Sequence, residues 1–329
     1  MEQKKIGIGI IGCGKIAQIR HIPEYAQNPN TELIGYYDFV YERAEEMAKT
    51  YGGRAFSTVE ELLNSTEIDA VSVCTANNAH ASMTVAALEA GKHVLCEKPM
   101  AVNSAEAEAM FRCAQENGVL LMEAMWARLV PGTIKMLELV KSGVFGDILG
   151  VEGKFCYTMD EDEMDHHVFK PENGGGSLLD VGVYALNFAS WYLGKDVEEM
   201  SAYCSEYGGV DSHTCILLKY KNAAIADLSS AILLRKPNEG YVYGSKGYAH
   251  LRRFYAPQEI EICFNDGRTE KIETPYAGNG FEEQITHFCE CISAGLTESP
   301  IITREQTLYI TKQMDEIRKS IGIVYPQDK

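Results

Sequence analysis

The chain has 329 residues, of which 46% are hydrophobic and 23% charged, and its formal net charge is −17. This length predicts two domains that can bury their cores without disulfides or structural metal. The acidic balance argues against nucleic acid and anionic membrane surfaces as partners, because both require basic patches. The chain contains no run of about 18 apolar residues, so no membrane span is predicted. With no signal-peptide pattern and ten scattered cysteines, we expect a cytoplasmic protein with reduced thiols.

In the first part of the chain, short β-rich runs alternate with amphipathic helical patterns. The predicted strands are residues 5–11, 31–37, 70–74, 93–96 and 119–122. The predicted helices are residues 15–26, 41–51, 79–89 and 104–117. Alternation with short links predicts a doubly wound parallel sheet, a Rossmann domain covered by helices on both faces.

A glycine turn follows the first predicted strand. A literal G-x-G-x-x-G at Gly7, Gly9 and Gly12 lies inside the strand and cannot open a helix. The better match is Gly12-Cys13-Gly14-Lys15-Ile16-Ala17, which leaves the strand and enters a helix. Gly12 permits the tight turn, and Gly14 lets the backbone approach a pyrophosphate at the helix N-terminus. The motif therefore predicts dinucleotide binding, and a plain β–α turn is the alternative.

Asp38 ends the second predicted strand. An acid at this position can accept hydrogen bonds from an adenosine ribose and repel a 2′-phosphate. It favours NAD as cofactor, with NADP as the second option. The alternative is a solvated loop acid.

Lys98 follows the strand at 93–96 within Cys96-Glu97-Lys98-Pro99. Ligands of doubly wound sheets bind at the carboxyl ends of the strands. Lys98 would there present a cation beside a nicotinamide, whereas the alternative is a surface lysine in a turn.

After residue 122 the pattern changes. Helices are predicted at residues 130–142, 177–193, 281–293 and 304–321. Strands are predicted at residues 148–157, 200–207, 214–220, 223–234, 259–264 and 269–272. Successive strands predict an α+β domain with a large mixed, mostly antiparallel open sheet. We assign residues 1–123 to dinucleotide binding and residues 124–329 to substrate binding and dimerisation.

The helix at 177–193 is almost wholly apolar, yet it contains Asp180 and, four residues on, Tyr184. This spacing puts both on one face. An unpaired buried carboxylate is costly, so Asp180 is either paired structurally or works in a cleft. A tyrosine whose pKa of about 10 is lowered by a nearby lysine can accept the proton of a carbinol hydroxyl.

Three further side chains are substrate-contact candidates. They are Trp126, Phe155 and His167, and for Trp126 the alternative is a core aromatic. The acidic run from Asp160 to Asp165, followed by His166 and His167, lacks helical ligand spacing. It favours a solvated loop, so no metal is expected.

Together these motifs resemble the Gfo/Idh/MocA family of nicotinamide-dependent oxidoreductases over nearly the whole chain. Residues 12–17 resemble its nucleotide turn, Glu97-Lys98-Pro99 its signature tripeptide, and residues 174–184 its substrate-domain helix. Within the family, the chain looks most like the branch of dimeric dihydrodiol and xylose dehydrogenases. The segments that carry this likeness are residues 122–128, Tyr184 and, near the C-terminus, residues 298–300 and 321–326. The resemblance implies Lys98 and Tyr184 as catalytic residues with Asp180 assisting.

The resemblance also implies an open-faced sheet that mediates homodimer contacts. The family often has Thr-Pro-Asn after the fourth strand, where this chain has Thr75-Ala76-Asn77. We expect Thr75, Asn77, His80 and Glu97 to line the cofactor together with the glycine turn. Asp38 departs from the dihydrodiol dehydrogenase branch, which resembles NADP users.

The resulting hypothesis is an NAD-dependent dehydrogenase of a neutral sugar, polyol or cyclic trans-diol. Tyr184 would be the acid/base, and Lys98 would polarise the substrate oxygen. We expect the protein to form a homodimer or higher homo-oligomer. The alternative from another class is a non-catalytic NAD(P)-binding regulatory protein of the same fold.

Overall fold

The computed structural model describes residues 4–160, 164 and 166–329. Its contacts divide the chain into two compact units. The first unit extends to Trp126 and includes Ala277–Leu308, and the second comprises Ala127–Tyr276 and Tyr309–Lys329. Within the described ranges, no helix is both long enough and apolar enough to span a bilayer.

The sheet of the first unit has six strands. They are β1 (Ile6–Ile11), β2 (Thr31–Tyr37), β3 (Arg54–Ala55), β4 (Ala70–Val73), β5 (His93–Glu97) and β6 (Leu121–Ala124). All pairings are parallel, in the order β3-β2-β1-β4-β5-β6. This is the doubly wound Rossmann order, with its switch point between β1 and β4. The predicted Rossmann sheet is confirmed, and the short strand β3 was missed because two residues carry no periodicity.

The helices are α1 (Ile22–Gln27), α2 (Tyr41–Tyr51), α3 (Val59–Leu63), α4 (Asn77–Glu89), α5 (Ser104–Asn117), α6 (Pro131–Lys141), α7 (Val183–Leu193), α8 (Glu282–Ser293) and α9 (Arg304–Ile321). Two of them continue a π-helical segment: Ala17–His21 leads into α1, and Leu178–Gly182 leads into α7. In the first unit, buried side chains of strands and helices form an apolar cluster that includes Leu62, Val71, Val94 and Met110. Asn103 caps the start of α5, because its side chain accepts the Glu106 N–H at 2.9 Å. Such caps are typical of helix starts.

The second unit contains an eight-stranded sheet. Its strands are β7 (Ile148–Cys156), β8 (Val197–Tyr207), β9 (Val210–Tyr220), β10 (Ile225–Ala231), β11 (Glu239–Gly244), β12 (Gly247–Arg252), β13 (Glu259–Phe264) and β14 (Thr269–Glu273). The order is β14-β13-β12-β11-β7-β10-β9-β8, with β7 and β10 parallel and the other pairs antiparallel. The predicted mixed, mostly antiparallel sheet is confirmed. Strands β11 and β12 were missed because their glycines weaken the strand pattern.

The two faces of this sheet differ. One face buries Ile216, Leu228 and Val242, and helix α7 packs against β7 and β10. The opposite face carries Tyr203 and Leu217, which are 78% and 52% exposed. The sheet is therefore covered by helix on one side and open on the other within its own unit.

Candidate active site

The turn after β1 requires glycine at one position for structural reasons. Gly12 has φ +92°, and a Cβ there would lie 2.8 Å from backbone atoms of Cys74 and Thr75. Its N–H donates to the Tyr37 carbonyl at 2.8 Å. The neighbouring strand ends β2 and β4 therefore hold this turn and leave no room for a side chain.

Gly14 is glycine for a different reason. A Cβ at Gly14 would have no protein atom within 4 Å, and its φ is not in the left-handed region. The helix opens directly after it, with the Gln18 N–H donating to the Gly14 carbonyl at 3.1 Å. The first N–H groups of a helix have no partners within the helix and attract anions. Open space beside these groups fits a bound pyrophosphate. Lys15 is exposed and Ile16 half-buried at this helix start, whereas Ala17 is fully buried against the sheet.

Asp38 braces the same turn. One carboxylate oxygen accepts the Cys13 N–H at 2.7 Å, and the other accepts the Val40 N–H at 2.8 Å. The Arg43 guanidinium lies 3.7 Å from the second oxygen and is half exposed. Burial and the Asp38 charge raise the pKa of Cys13 to about 12, so this thiol stays neutral. Sequence reasoning missed Arg43, although a basic residue near an acid at this strand end is a known signal for 2′-phosphate.

The segments after β4 and β5 meet at His80, which is buried in α4. Its Nδ1 lies 2.9 Å from the Pro99 carbonyl oxygen, and its Nε2 lies 3.1 Å from that of Thr75. Burial lowers the pKa of His80, although both hydrogen bonds oppose this. Because of these two contacts, both ring nitrogens of His80 face backbone carbonyl groups. Thr75 and Asn77 are half-buried at the start of α4.

Glu97 ends β5 and is buried, and Lys98 follows it half-buried, with a cis peptide bond to Pro99. The Glu97 carboxylate accepts the Lys98 N–H at 3.0 Å and lies 2.6 Å from the ring of His21. Lys98 and the glycine turn thus lie at carboxyl ends of strands of one sheet.

Trp126 is buried in the first unit. Its ring stacks on Phe281 with centroids 4.9 Å apart. This contact covers part of the ring, and the role of Trp126 in substrate binding stays a prediction.

In the second unit the helix with Asp180 and Tyr184 is anchored by a buried aspartate. Asp211 accepts the Leu178 N–H at 2.8 Å and the Ser177 hydroxyl at 2.7 Å. Gly176, with φ +98°, passes so close that a Cβ would clash with the Asp211 carboxylate. Packing against this cap therefore explains the glycine at position 176.

Asp180 is partly exposed and accepts a hydrogen bond of 2.6 Å from the Tyr157 hydroxyl. Tyr184 is buried, with its ring centroid 5.5 Å from Phe155, which stacks on Tyr255 at 4.0 Å. The structure thus brings Phe155 and Tyr184 into one aromatic cluster. Tyr157 could have been found from its two-residue spacing from Phe155 along an extended chain, whereas Tyr255 carries no such signal.

His167 is exposed in the 3-10 turn His167–Phe169, with its ring 4.0 Å from that of His166. Four residues of the preceding acidic run, Glu161, Asp162, Glu163 and Asp165, lie outside the described residues. Among the residues that are described, no three His, Cys, Asp or Glu side chains form a group able to hold a metal ion.

The strand order, glycine turn and carboxyl-edge lysine define a Rossmann-type nucleotide-binding protein. Residues 6–125 match the model of the oxidoreductase family with an NAD-binding Rossmann fold, and residues 133–250 match the model of the GFO/IDH/MocA C-terminal domain. The chain belongs to the Gfo/Idh/MocA oxidoreductase family, as its motifs suggested.

Curated relatives include trans-1,2-dihydrobenzene-1,2-diol dehydrogenases. The mouse (Mus musculus) protein is 31% identical over 87% of this chain and 88% of its own length. Among solved structures, a 3-ketoreductase from Actinomadura kijaniata with NADP and TDP-benzene is 28% identical, with a TM-score of 0.89 over 97% of this chain and 98% of that one. An aldose-aldose oxidoreductase from Caulobacter crescentus with glycerol is 27% identical, with a TM-score of 0.89 and the same coverage.

Proposed function

We propose that this protein is an NAD(P)-dependent dehydrogenase that oxidises a CH–OH group of a neutral sugar, polyol or cyclic trans-diol. The observation that carries the proposal is the common position of the glycine turn, Thr75 and Lys98. They follow β1, β4 and β5, on either side of the point where the strand order reverses. The names of the relatives, which refer to diols, aldoses and a ketoreductase, support this substrate class.

The residues at this edge fit a dinucleotide. In the proposal, residues 12–16 form the turn that holds the pyrophosphate, and Asp38 receives the adenosine ribose. The donors are the backbone N–H groups from Gly14 onward, because those of Gly12 and Cys13 already donate to Tyr37 and Asp38. Thr75, Asn77, Glu97 and Lys98 surround the nicotinamide end, and His80 fixes the segments that carry them. When bound, the nicotinamide accepts a hydride from the carbinol carbon. NAD is the proposed cofactor. NADP is the second option, because the Arg43 guanidinium beside Asp38 could accommodate a 2′-phosphate.

Lys98 and Tyr184 divide the proton chemistry. In the proposal the Lys98 ammonium donates a hydrogen bond to the substrate oxygen and polarises it. Tyr184 then takes the hydroxyl proton on its phenolic oxygen as the carbon–hydrogen bond breaks. In the reverse direction Tyr184 returns this proton to the carbonyl oxygen.

Asp180 assists from the same helix face as Tyr184. Its carboxylate accepts the hydrogen bond from the Tyr157 hydroxyl. In the proposal this carboxylate orients the substrate hydroxyl or relays the proton. The rings of Phe155 and Tyr255 supply a flat apolar surface for the carbon skeleton of the substrate. Trp126 and His167 are proposed as further substrate contacts.

We also propose that the protein is a cytoplasmic homodimer or higher homo-oligomer. The open face of the eight-stranded sheet is the proposed contact surface. Tyr203, Leu217 and Ile225 project from it and are each more than half exposed. Exposed apolar and aromatic groups on one face are typical of subunit interfaces.

The test of the proposed function is turnover by two variants. Lys98→Ala and Tyr184→Phe are expected to lower kcat by about a hundredfold or more, while NAD still binds. Tyr192→Phe is the matched control, because it removes a buried hydroxyl about two turns further along α7, and it should keep its turnover. Unchanged kcat in either test variant would refute the mechanism. NAD binding with no turnover on any sugar, polyol or diol would favour the regulatory alternative.

A further inference from the structure

Three buried side chains hold the backbone of the segment that carries Lys98. Glu97 accepts the Lys98 N–H at 3.0 Å, and Glu123 accepts the Met100 N–H at 3.0 Å. His80 lies 2.9 Å from the carbonyl oxygen of Pro99 between them. Each residue from 98 to 100 therefore has a backbone group tied to a buried polar side chain of the first unit.

Glu97 is itself held by a histidine that no motif assigned. His21 Nε2 lies 2.6 Å from the Glu97 carboxylate, and the two side chains are 0% and 5% exposed. His21 is the last residue of the π-helical segment in the helix that the glycine turn opens. Its Nδ1 makes no hydrogen bond to any described residue. Glu97 is thus the hydrogen-bond partner that the fold provides for this ring.

The charge on Glu97 depends on this contact. Burial raises the pKa of Glu97, but the hydrogen bond from His21 and the charges of His21, Lys98 and His80 outweigh burial and bring the pKa below its ordinary value. Burial raises the pKa of Glu123, and its hydrogen bonds from Thr307 and Met100 do not reverse this. The pKa values of the two buried carboxyl groups behind Lys98 are therefore shifted in opposite directions, that of Glu97 downward and that of Glu123 upward.

The described titratable side chains that interact with Glu97 come from several elements of the first unit. They are His21, Cys74, His80, Cys96, Lys98 and Glu123. Burial raises the pKa of both thiols, so they stay neutral. Without His21, the carboxylate would lose its shortest hydrogen bond. It would still face burial and the nearby Glu123.

We propose that His21 is a positioning residue for Lys98, acting through its hydrogen bond to Glu97. The helix that opens at the nucleotide turn thereby fixes the carboxylate that holds the Lys98 backbone. This inference rests on the proposed catalytic role of Lys98. It adds a residue outside the glycine turn and the Glu97-Lys98-Pro99 motif to the machinery of the reaction.

The experiment compares His21→Phe with His21→Gln in the holoenzyme. His21→Phe fills a similar volume without a donor, and it should lower kcat about tenfold or more with the KM for NAD nearly unchanged. Since the pKa of Glu97 would rise, the fall of kcat toward acid should move to higher pH. His21→Gln restores a neutral donor, so it should recover most of kcat. His287→Phe is the control, because its ring bonds to Ser299 at 2.8 Å rather than to Glu97.

A purely structural role predicts a different result. Both His21 variants would then lower the melting temperature, while kcat per folded enzyme and its acid limb would match the wild type, and this would overturn the proposal. If His21→Phe does not fold, Glu97→Gln serves instead, and an acid limb identical to that of the wild type would be the contradicting result. Lys98→Ala is measured in parallel. If it keeps full turnover, the proposed function fails; if it is inactive while His21→Phe is fully active, only the inference about His21 fails.

Discussion

Gly12 and Gly14 are expected to fail differently when each is replaced by alanine. At Gly12 the new Cβ would stand 2.8 Å from three backbone atoms, in a backbone with φ +92°. The left-handed conformation costs about 1–2 kcal/mol and the overpacking about 1–3 kcal/mol, so Gly12→Ala should lose roughly 2–5 kcal/mol of unfolding free energy. At Gly14 no protein atom lies within 4 Å of the Cβ. Gly14→Ala should therefore be as stable as the wild type or up to about 1 kcal/mol more stable.

The two variants separate a glycine needed by the fold from one needed by a ligand. If a pyrophosphate approaches the backbone at Gly14, the alanine methyl group stands in its way, and NADH affinity should fall by about tenfold or more, which is roughly 1.4 kcal/mol. Urea unfolding measures the stability, and titration of NADH fluorescence measures the affinity. Unchanged NADH affinity in a folded Gly14→Ala protein would refute the placement of the cofactor at this turn.

Three further outcomes follow from the structure. Asp38→Asn keeps an acceptor for the Cys13 N–H and removes the negative charge beside Arg43. The ratio of kcat/KM for NADP to that for NAD should therefore rise by about tenfold or more. An unaltered ratio would show that Asp38 does not discriminate between the two cofactors. Tyr157→Phe removes the 2.6 Å hydrogen bond to Asp180, so kcat should fall about tenfold with NADH affinity unchanged. An equal kcat would show that the reaction does not depend on this hydrogen bond. Leu217→Glu puts a charge on the open sheet face and should shift the mass from light scattering toward the monomer, whereas an unchanged mass would exclude this face as the contact surface.

The first sheet could be predicted because its signals are local. Buried parallel strands give continuous apolar runs, and β1, β4 and β5 all have them. The glycine turn could be located because only the second motif leaves the strand and opens a helix. Strand β3 and the hairpin of β11 and β12 escaped prediction, since two residues in the first case and three glycines in the second carry little hydrophobic pattern.

The polar contacts of the site could not be predicted in the same way, because they join distant parts of the chain. His21 and Glu97 are 76 residues apart, and Asp38 and Cys13 are 25 apart. Neither pair has a spacing that sequence periodicity can detect. His80 illustrates the consequence. Its position after β4 predicts a cofactor contact, which stays a prediction, but it gave no sign that both ring nitrogens lie beside backbone carbonyls.

For Asp180 the sequence left two interpretations open, and the structure shows features of both. The sequence predicted either structural pairing or a role in a cleft. The Tyr157 hydroxyl pairs with one carboxylate oxygen, yet the side chain stays partly exposed. Pairing and function are thus compatible in this residue.

The central claim is hydride transfer from a neutral CH–OH substrate with Lys98 and Tyr184 as its acid–base groups. It is tested most directly by NADH formation, followed by absorbance, over a panel of pentoses, hexoses, inositols and trans-diols. The wild type should reduce NAD with at least one of these compounds, and Lys98→Ala and Tyr184→Phe should bind NADH normally while their kcat falls by about a hundredfold or more. Turnover by either variant at the wild-type rate, or no turnover by the wild type with the whole panel, would contradict the claim.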